Sequence, residues 1–119
     1  ALTTFEEIEV TARRLQQMAV QRGNPALKIV VTGGHAEKPD DFLLTAEGYR
    51  WYPGEHIETA STHGTGCAFS SALAARLALG DDDFTAVQSA KEYVTGALRY
   101  AYSVGRGNGP LNHFWQKEF

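Results

Sequence analysis

The apolar positions of the chain change period several times, and each change predicts an element. Phe5, Ile8, Ala12, Leu15 and Ala19 recur at helical spacing, with Glu9, Arg13, Arg14, Gln16 and Gln17 largely on the other face. Thr3 and Thr4 stand three residues before Glu6 and Glu7, a capping-box spacing. Gly23 and Asn24-Pro25 stop the pattern, so it predicts an amphipathic helix over 4–22 with those five residues inward. Leu27-Lys28-Ile29-Val30-Val31-Thr32 is short, mostly β-branched and closed by Gly33-Gly34, which predicts a buried strand of the parallel-sheet kind. Asp41–Ala46 and Tyr49–Ile57 read as two further strands turned by Glu47-Gly48, with Pro53-Gly54 placing part of the second at an edge or bulge. Gly64-Thr65-Gly66 then opens a helix over Cys67–Leu79 that is apolar almost all round, the pattern of a central helix. Gly80 stops it. Asp81-Asp82-Asp83 caps a last helix over 83–102, with Phe84, Val87, Val94, Leu98 and Ala101 inward. A glycine-rich loop, Gly105–Pro110, leads to a tail with Phe114, Trp115 and Phe119.

The order is α, β, β-hairpin, α, α. One buried strand does not make a two-sided parallel sheet, and an all-apolar helix needs neighbours on every side. The expected fold class is therefore α/β, as the C-terminal portion of a larger sheet. Residues 1–119 are expected to form a single domain or part of one.

Composition narrows the function classes. The 119 residues are 43% hydrophobic and 21% charged, which is globular. Lys plus Arg is 11 against 14 Asp plus Glu, a net charge of -3. Nucleic acid is not the expected partner, since a phosphate backbone attracts a basic face. A small anion is compatible, because backbone N–H groups at a helix start hold it without net positive charge. No apolar run is long enough to span a membrane, and the first residues have no signal-peptide pattern. One cysteine, Cys67, makes no internal disulfide, and a cytoplasmic location is expected.

Two segments carry candidate chemistry. In His63-Gly64-Thr65-Gly66-Cys67 the glycines let amides converge ahead of a helix, where partial positive charge gathers. A cysteine at such a helix start is a candidate base or nucleophile, here Cys67. The alternative is a plain helix start with Cys67 as a small buried residue. In Thr32-Gly33-Gly34-His35 two glycines close a strand, at the end where ligands of open α/β sheets collect. The alternative there is a simple turn. His35, His56, His63 and His113 have no zinc spacing, and Asp81–Asp83 reads as a cap rather than a metal cluster. Lys91 and Arg99 are expected on an exposed face, and Tyr93, Tyr100 and Tyr102 as packing residues.

Together the segments resemble a known family. Thr59-Ala60-Ser61-Thr62-His63-Gly64-Thr65-Gly66-Cys67-Ala68-Phe69-Ser70-Ser71-Ala72-Leu73-Ala74-Ala75 is similar to the T-x-x-T-H-G-T-G-C-x-x-S-S-A-[IL]-A-A signature of hydroxymethylpyrimidine phosphate kinases of thiamine synthesis. The likeness continues in Ala90–Ala97, in Gly109-Pro110-Leu111-Asn112-His113-Phe114, and upstream in Val30-Val31-Thr32-Gly33-Gly34-His35. It implies a ribokinase-like α/β sandwich and transfer of the ATP γ-phosphate to 4-amino-5-hydroxymethyl-2-methylpyrimidine or its phosphate, with Mg2+. It implies Gly64, Thr65 and Gly66 as an anion hole and Cys67 where related sugar kinases place an aspartate base. Thr32, Gly33, Gly34 and His35 would lie on the nucleotide side, with Thr62 and His63 lining the same cleft. Pyridoxal kinases of the same superfamily are the nearest enzymatic alternative, and a shortened, non-catalytic nucleotide-binding module is the other.

Three features depart from the family pattern. Thr32 stands where the family often has Lys, and Asn108 where it often has His. Family members run to about twice this length, in the upper range for one domain. The resemblance thus implies the nucleotide-side half of a kinase, not competent alone, with a missing N-terminal half or a dimer mate as partner.

Overall fold

Thr4 starts the first helix. Its hydroxyl accepts the Glu7 N–H at 3.1 Å, and α1 runs Phe5–Gln21 from that cap in the computed structural model, which describes residues 4–33, 40–55, 65–100 and 111–116. Glu6 and Glu7 set negative charge at the positive end of the helix. At the other end Gly23 takes φ +89°. Its N–H donates to Val20 O at 3.1 Å and that of Asn24 to Ala19 O at 2.8 Å. This pair of bonds is a Schellman cap, and its left-handed position favours glycine. The chain divides into two compact units, Ala1–Gly54 and Glu55–Phe119.

In the first unit β1 (Ile29–Val31), β2 (Asp41–Thr45) and β3 (Gly48–Tyr52) form one sheet in the order β1-β2-β3. Both pairings are antiparallel, with Val30 opposite Leu43 and Leu43 opposite Arg50. The parallel, fully buried β1 of the sequence reading is corrected. It is three residues long, half-buried, and the strand beside it runs the other way. A β-branched run specifies a strand but not its direction, which the partner decides. The buried strand is β2, at all five positions.

α1 packs on this sheet through Ala12, Phe42 and Leu44, with Ile8, Ile29, Val31 and Trp51 around them. Trp51 lies between Phe5 and Phe42, at centroid distances of 4.4 and 4.7 Å, and its indole N–H donates to Glu9 Oε1 at 2.7 Å. Leu15, expected inward, is 47% exposed. The polar Gln16 turns to the sheet instead and donates its amide to Thr45 O at 3.1 Å. The hairpin turn is Ala46-Glu47 rather than Glu47-Gly48. Thr45 Oγ1 accepts the Glu47 N–H at 3.2 Å, and Gly48, at φ +152°, opens β3 opposite Thr45. β3 ends at Tyr52, ahead of Pro53 and well short of Ile57.

The second unit pairs α2 (Thr65–Ala78) with α3 (Asp83–Arg99). α2 starts two residues before the expected Cys67, so that Cys67 sits within the first turn. Gly80, at φ +98°, closes it in a second Schellman cap, with Gly80 N–H to Leu77 O at 3.0 Å and Asp81 N–H to Arg76 O at 3.1 Å. Asp82 caps α3, accepting the Thr85 N–H at 2.8 Å and its hydroxyl at 3.0 Å, while Asp81 holds Arg76 at 2.7 Å. The aspartate run is thus a cap. α3 buries Ala86, Val87, Ala90, Gly96 and Ala97; Phe84, Val94 and Leu98 are half-buried, and Ala101 lies outside the described residues. Lys91, expected exposed, is half-buried.

The tail 111–116 lies along α3. Leu111 joins Ala68 and Ala97 in a buried cluster, and Asn112 N–H donates to Ala97 O at 3.1 Å. Trp115 rests over Gly96 so closely that a Cβ there would overlap its ring. Its indole N–H donates to Tyr93 O at 3.0 Å, and Tyr100 stacks on it at 5.9 Å. α2 buries only Ala68 and Phe69, and Leu77 is exposed, so the described residues supply only part of the surroundings an all-apolar helix calls for. Among the described residues no helix is long and apolar enough to cross a membrane.

Candidate functional site

The first turn of a helix leaves its N–H groups without intrahelical acceptors, aligned with the positive end of the helix dipole. In α2 that turn is Thr65, Gly66 and Cys67, and it carries no acidic side chain to repel an anion. Among the described residues, a Cβ built at Gly66 meets nothing within 4 Å, so the side of the turn it faces has room. Cys67 is a free, exposed thiol. The small buried cysteine of the alternative reading is thus corrected to an exposed one. Thr62, His63 and Gly64 lie outside the described residues.

Cys67 opens onto a cleft of about 770 Å3 between α2, α3 and the tail. Ser71 follows it on α2, Glu92 and Tyr93 line the opposite wall from α3, and His113 enters from the tail. Tyr93 Oη donates to His113 O at 2.8 Å and lies 3.3 Å from His113 Nδ1. Sequence reasoning missed this pair. Tyr93 read as packing and His113 as a histidine without zinc spacing. The one available signal was that His113 falls in the Gly109–Phe114 stretch of the family resemblance.

The strand end in the other unit has a different character. Thr32 is exposed and Gly33 half-buried. The Gly33 N–H donates to Asp41 Oδ1 at 2.8 Å, and Asp41 is buried at the start of β2. That amide is therefore engaged by a carboxylate of the neighbouring strand. Asp40 fixes the far side similarly, accepting the Gly54 N–H at 2.9 Å. Neither aspartate was singled out from sequence, where Asp41 read only as the first residue of a strand. Gly34 and His35 lie outside the described residues. Among the described residues no three His, Cys, Asp or Glu side chains come together to hold a metal ion. The chemistry within reach is anion binding at main-chain amides beside a solvent-facing sulfur.

Comparison with known proteins finds clear relatives. The sequence model of the family described as phosphomethylpyrimidine kinase matches residues 1–112. A hydroxymethylpyrimidine/phosphomethylpyrimidine kinase of Staphylococcus aureus (strain Mu50 / ATCC 700699) is 43% identical over 89 residues, 72% of this chain and 32% of that protein. The thiamine biosynthesis bifunctional protein ThiED of Geobacter sulfurreducens is 37% identical over 115 residues, 95% of this chain and 22% of that one. Among solved structures, an ADP complex of Bacillus subtilis pyridoxal kinase superposes with a TM-score of 0.82 at 31% identity, covering 97% of this chain and 42% of that one. The fold class is α/β, a portion of a ribokinase-like sandwich, and the chain spans less than half the length of each of these relatives.

Proposed function

The chain belongs to the phosphomethylpyrimidine kinase family, and from that membership we propose that it is the nucleotide-side, C-terminal part of an ATP-dependent kinase of thiamine biosynthesis. The acceptor is the hydroxymethyl group of 4-amino-5-hydroxymethyl-2-methylpyrimidine or of its phosphate. One observation carries the reading: the open, acid-free first turn of α2 with an exposed sulfur inside it.

Phosphoryl transfer needs charge on the moving group to be held and a hydroxyl proton to be taken. The N–H groups of Thr65 and Gly66, with Gly64, supply the first by electrostatic preorganisation. Cys67 supplies the second, taking the hydroxyl proton. The acceptor oxygen bonds to the γ-phosphorus as the bond to the bridging oxygen breaks and ADP leaves. The family resemblance assigns Thr62 and His63 to nucleotide binding. It assigns Thr32, Gly33, Gly34 and His35 to nucleotide binding as well; the Gly33 N–H itself serves Asp41.

The donor set fits ATP, since α2 begins with amides and no carboxylate. It fits Mg2+ carried on the nucleotide, which is held largely by phosphates and water and neutralises phosphate charge. The rest of the sandwich, from the missing N-terminal part or a second copy, covers the apolar residues left exposed, Leu15 and Met18 on α1 and Leu77 on α2. A free exposed thiol suits the reducing cytoplasm.

The test is ATP-dependent phosphorylation of the pyrimidine alcohol by the full-length polypeptide carrying these residues. Cys67→Ala is expected to lower turnover by about 100-fold or more while nucleotide binding persists. Undiminished turnover would contradict the assignment. Fold likeness to a pyridoxal kinase supports a second reading, and pyridoxal in the same assay decides between them.

A further inference from the structure

Tyr93 and His113 line the same cleft as Cys67 and have no part in the transfer step described so far. Their hydrogen bonding fixes a tautomer. A tyrosine hydroxyl has one proton, and that of Tyr93 goes to His113 O at 2.8 Å. Toward His113 Nδ1, 3.3 Å away, the same oxygen is left to accept. Nδ1 then carries the imidazole proton, and Nε2 presents a basic lone pair. The tail that bears this ring is held against the turn of α2 that bears the sulfur. Leu111 packs with Ala68, the neighbour of Cys67, and with Ala97, whose carbonyl takes the Asn112 N–H at 3.1 Å. Beyond His113, Trp115 is locked over Gly96. The other charged side chains lining the cleft are engaged elsewhere: Arg76 with Asp81 at 2.7 Å, and Glu92 with the Gln88 amide at 3.0 Å.

We propose that His113 acts through Cys67, taking up the thiol proton on Nε2 directly or through one water, with Tyr93 holding the ring in that tautomer. The proton passes from Sγ to Nε2, leaving a thiolate and an imidazolium whose Nδ1–H stays on Tyr93 Oη. In the kinase reading on which this role rests, the thiolate then takes the acceptor hydroxyl proton as the new O–P bond forms. The His113 proton returns to water before the next turnover. His113 is thus a positioning residue that readies the sulfur, and a structural role alone would not move the reactivity of that sulfur.

Alkylation by iodoacetamide of the full-length polypeptide carrying these residues tests this. The reagent is neutral, so charge does not steer it, and the mass increase is read on the proteolytic peptide that bears Cys67, the one cysteine among these 119 residues. The S–C bond forms as the C–I bond breaks and iodide leaves. His113→Gln, with circular dichroism unchanged, is expected to slow alkylation about tenfold. Tyr93→Phe keeps the imidazole but frees it, and is expected to slow it about threefold. A His113→Gln rate at or above wild type overturns the proposal. Should that variant lose its helical signal, Tyr93→Phe decides, with a slowed rate supporting the role and an unchanged rate overturning it. Neither ATP nor pyrimidine is needed. Failure here therefore leaves the Cys67→Ala transfer assay standing, and failure there leaves this result standing.

Discussion

Single residues of this chain divide sharply by what surrounds them, and two glycines show it. Gly96 lies under the Trp115 ring with no room for a methyl group, while Gly66 has open space where a Cβ would go. Both are helical, so backbone conformation does not separate them. Gly96→Ala must push Trp115 off α3, and its indole bond to Tyr93 O goes with it. We expect a loss of about 1–3 kcal/mol in urea unfolding, with a shift in tryptophan emission. Gly66→Ala is expected to change stability by less than about 1 kcal/mol, because nothing is displaced and alanine favours a helix. Equal losses in the two variants would contradict the packing described for the tail.

At the scale of elements, the ends were legible in the sequence and the partners were not. Thr4, Gly23, Gly80 and Asp82 act on neighbours three to five residues away, so their chemistry can be read from spacing. Asp82→Ala removes acceptors for both the Thr85 N–H and its hydroxyl and is expected to cost about 1 kcal/mol in thermal unfolding; an unchanged midpoint would mean that another group caps α3. The direction of β1, by contrast, depends on β2, which follows a loop, and no property of Ile29-Val30-Val31 states it. Leu15 misled for a related reason. Helical spacing places it near the inner face, but the Gln16 bond to Thr45 O sets which flank meets the sheet. The small residues of α3 that carry its packing, Ala86, Ala90 and Ala97, are weak hydrophobic signals beside Phe84 and Leu98, yet they are the buried ones.

For the whole molecule, the candidate site divides the same way. Thr65-Gly66-Cys67 was legible because glycines ahead of an apolar helix have a local meaning. The Tyr93–His113 pair was not, because it forms across twenty residues when the tail folds back on α3. The exposure of α2 was also invisible. An all-apolar helix predicts neighbours on every side, and within the described residues it meets them on one. On the proposal of a larger sandwich, that exposed face of α2 is where further polypeptide would pack.

The central claim is that the start of α2 grips phosphate through main-chain amides. Titrating the isotopically labelled chain with ATP and Mg2+, while following backbone amide resonances, tests it most directly. The account predicts saturable shifts at Thr65, Gly66 and Cys67, larger than those elsewhere on α2. Nucleotide binding that leaves these three amides unmoved, or no binding at all, would contradict it.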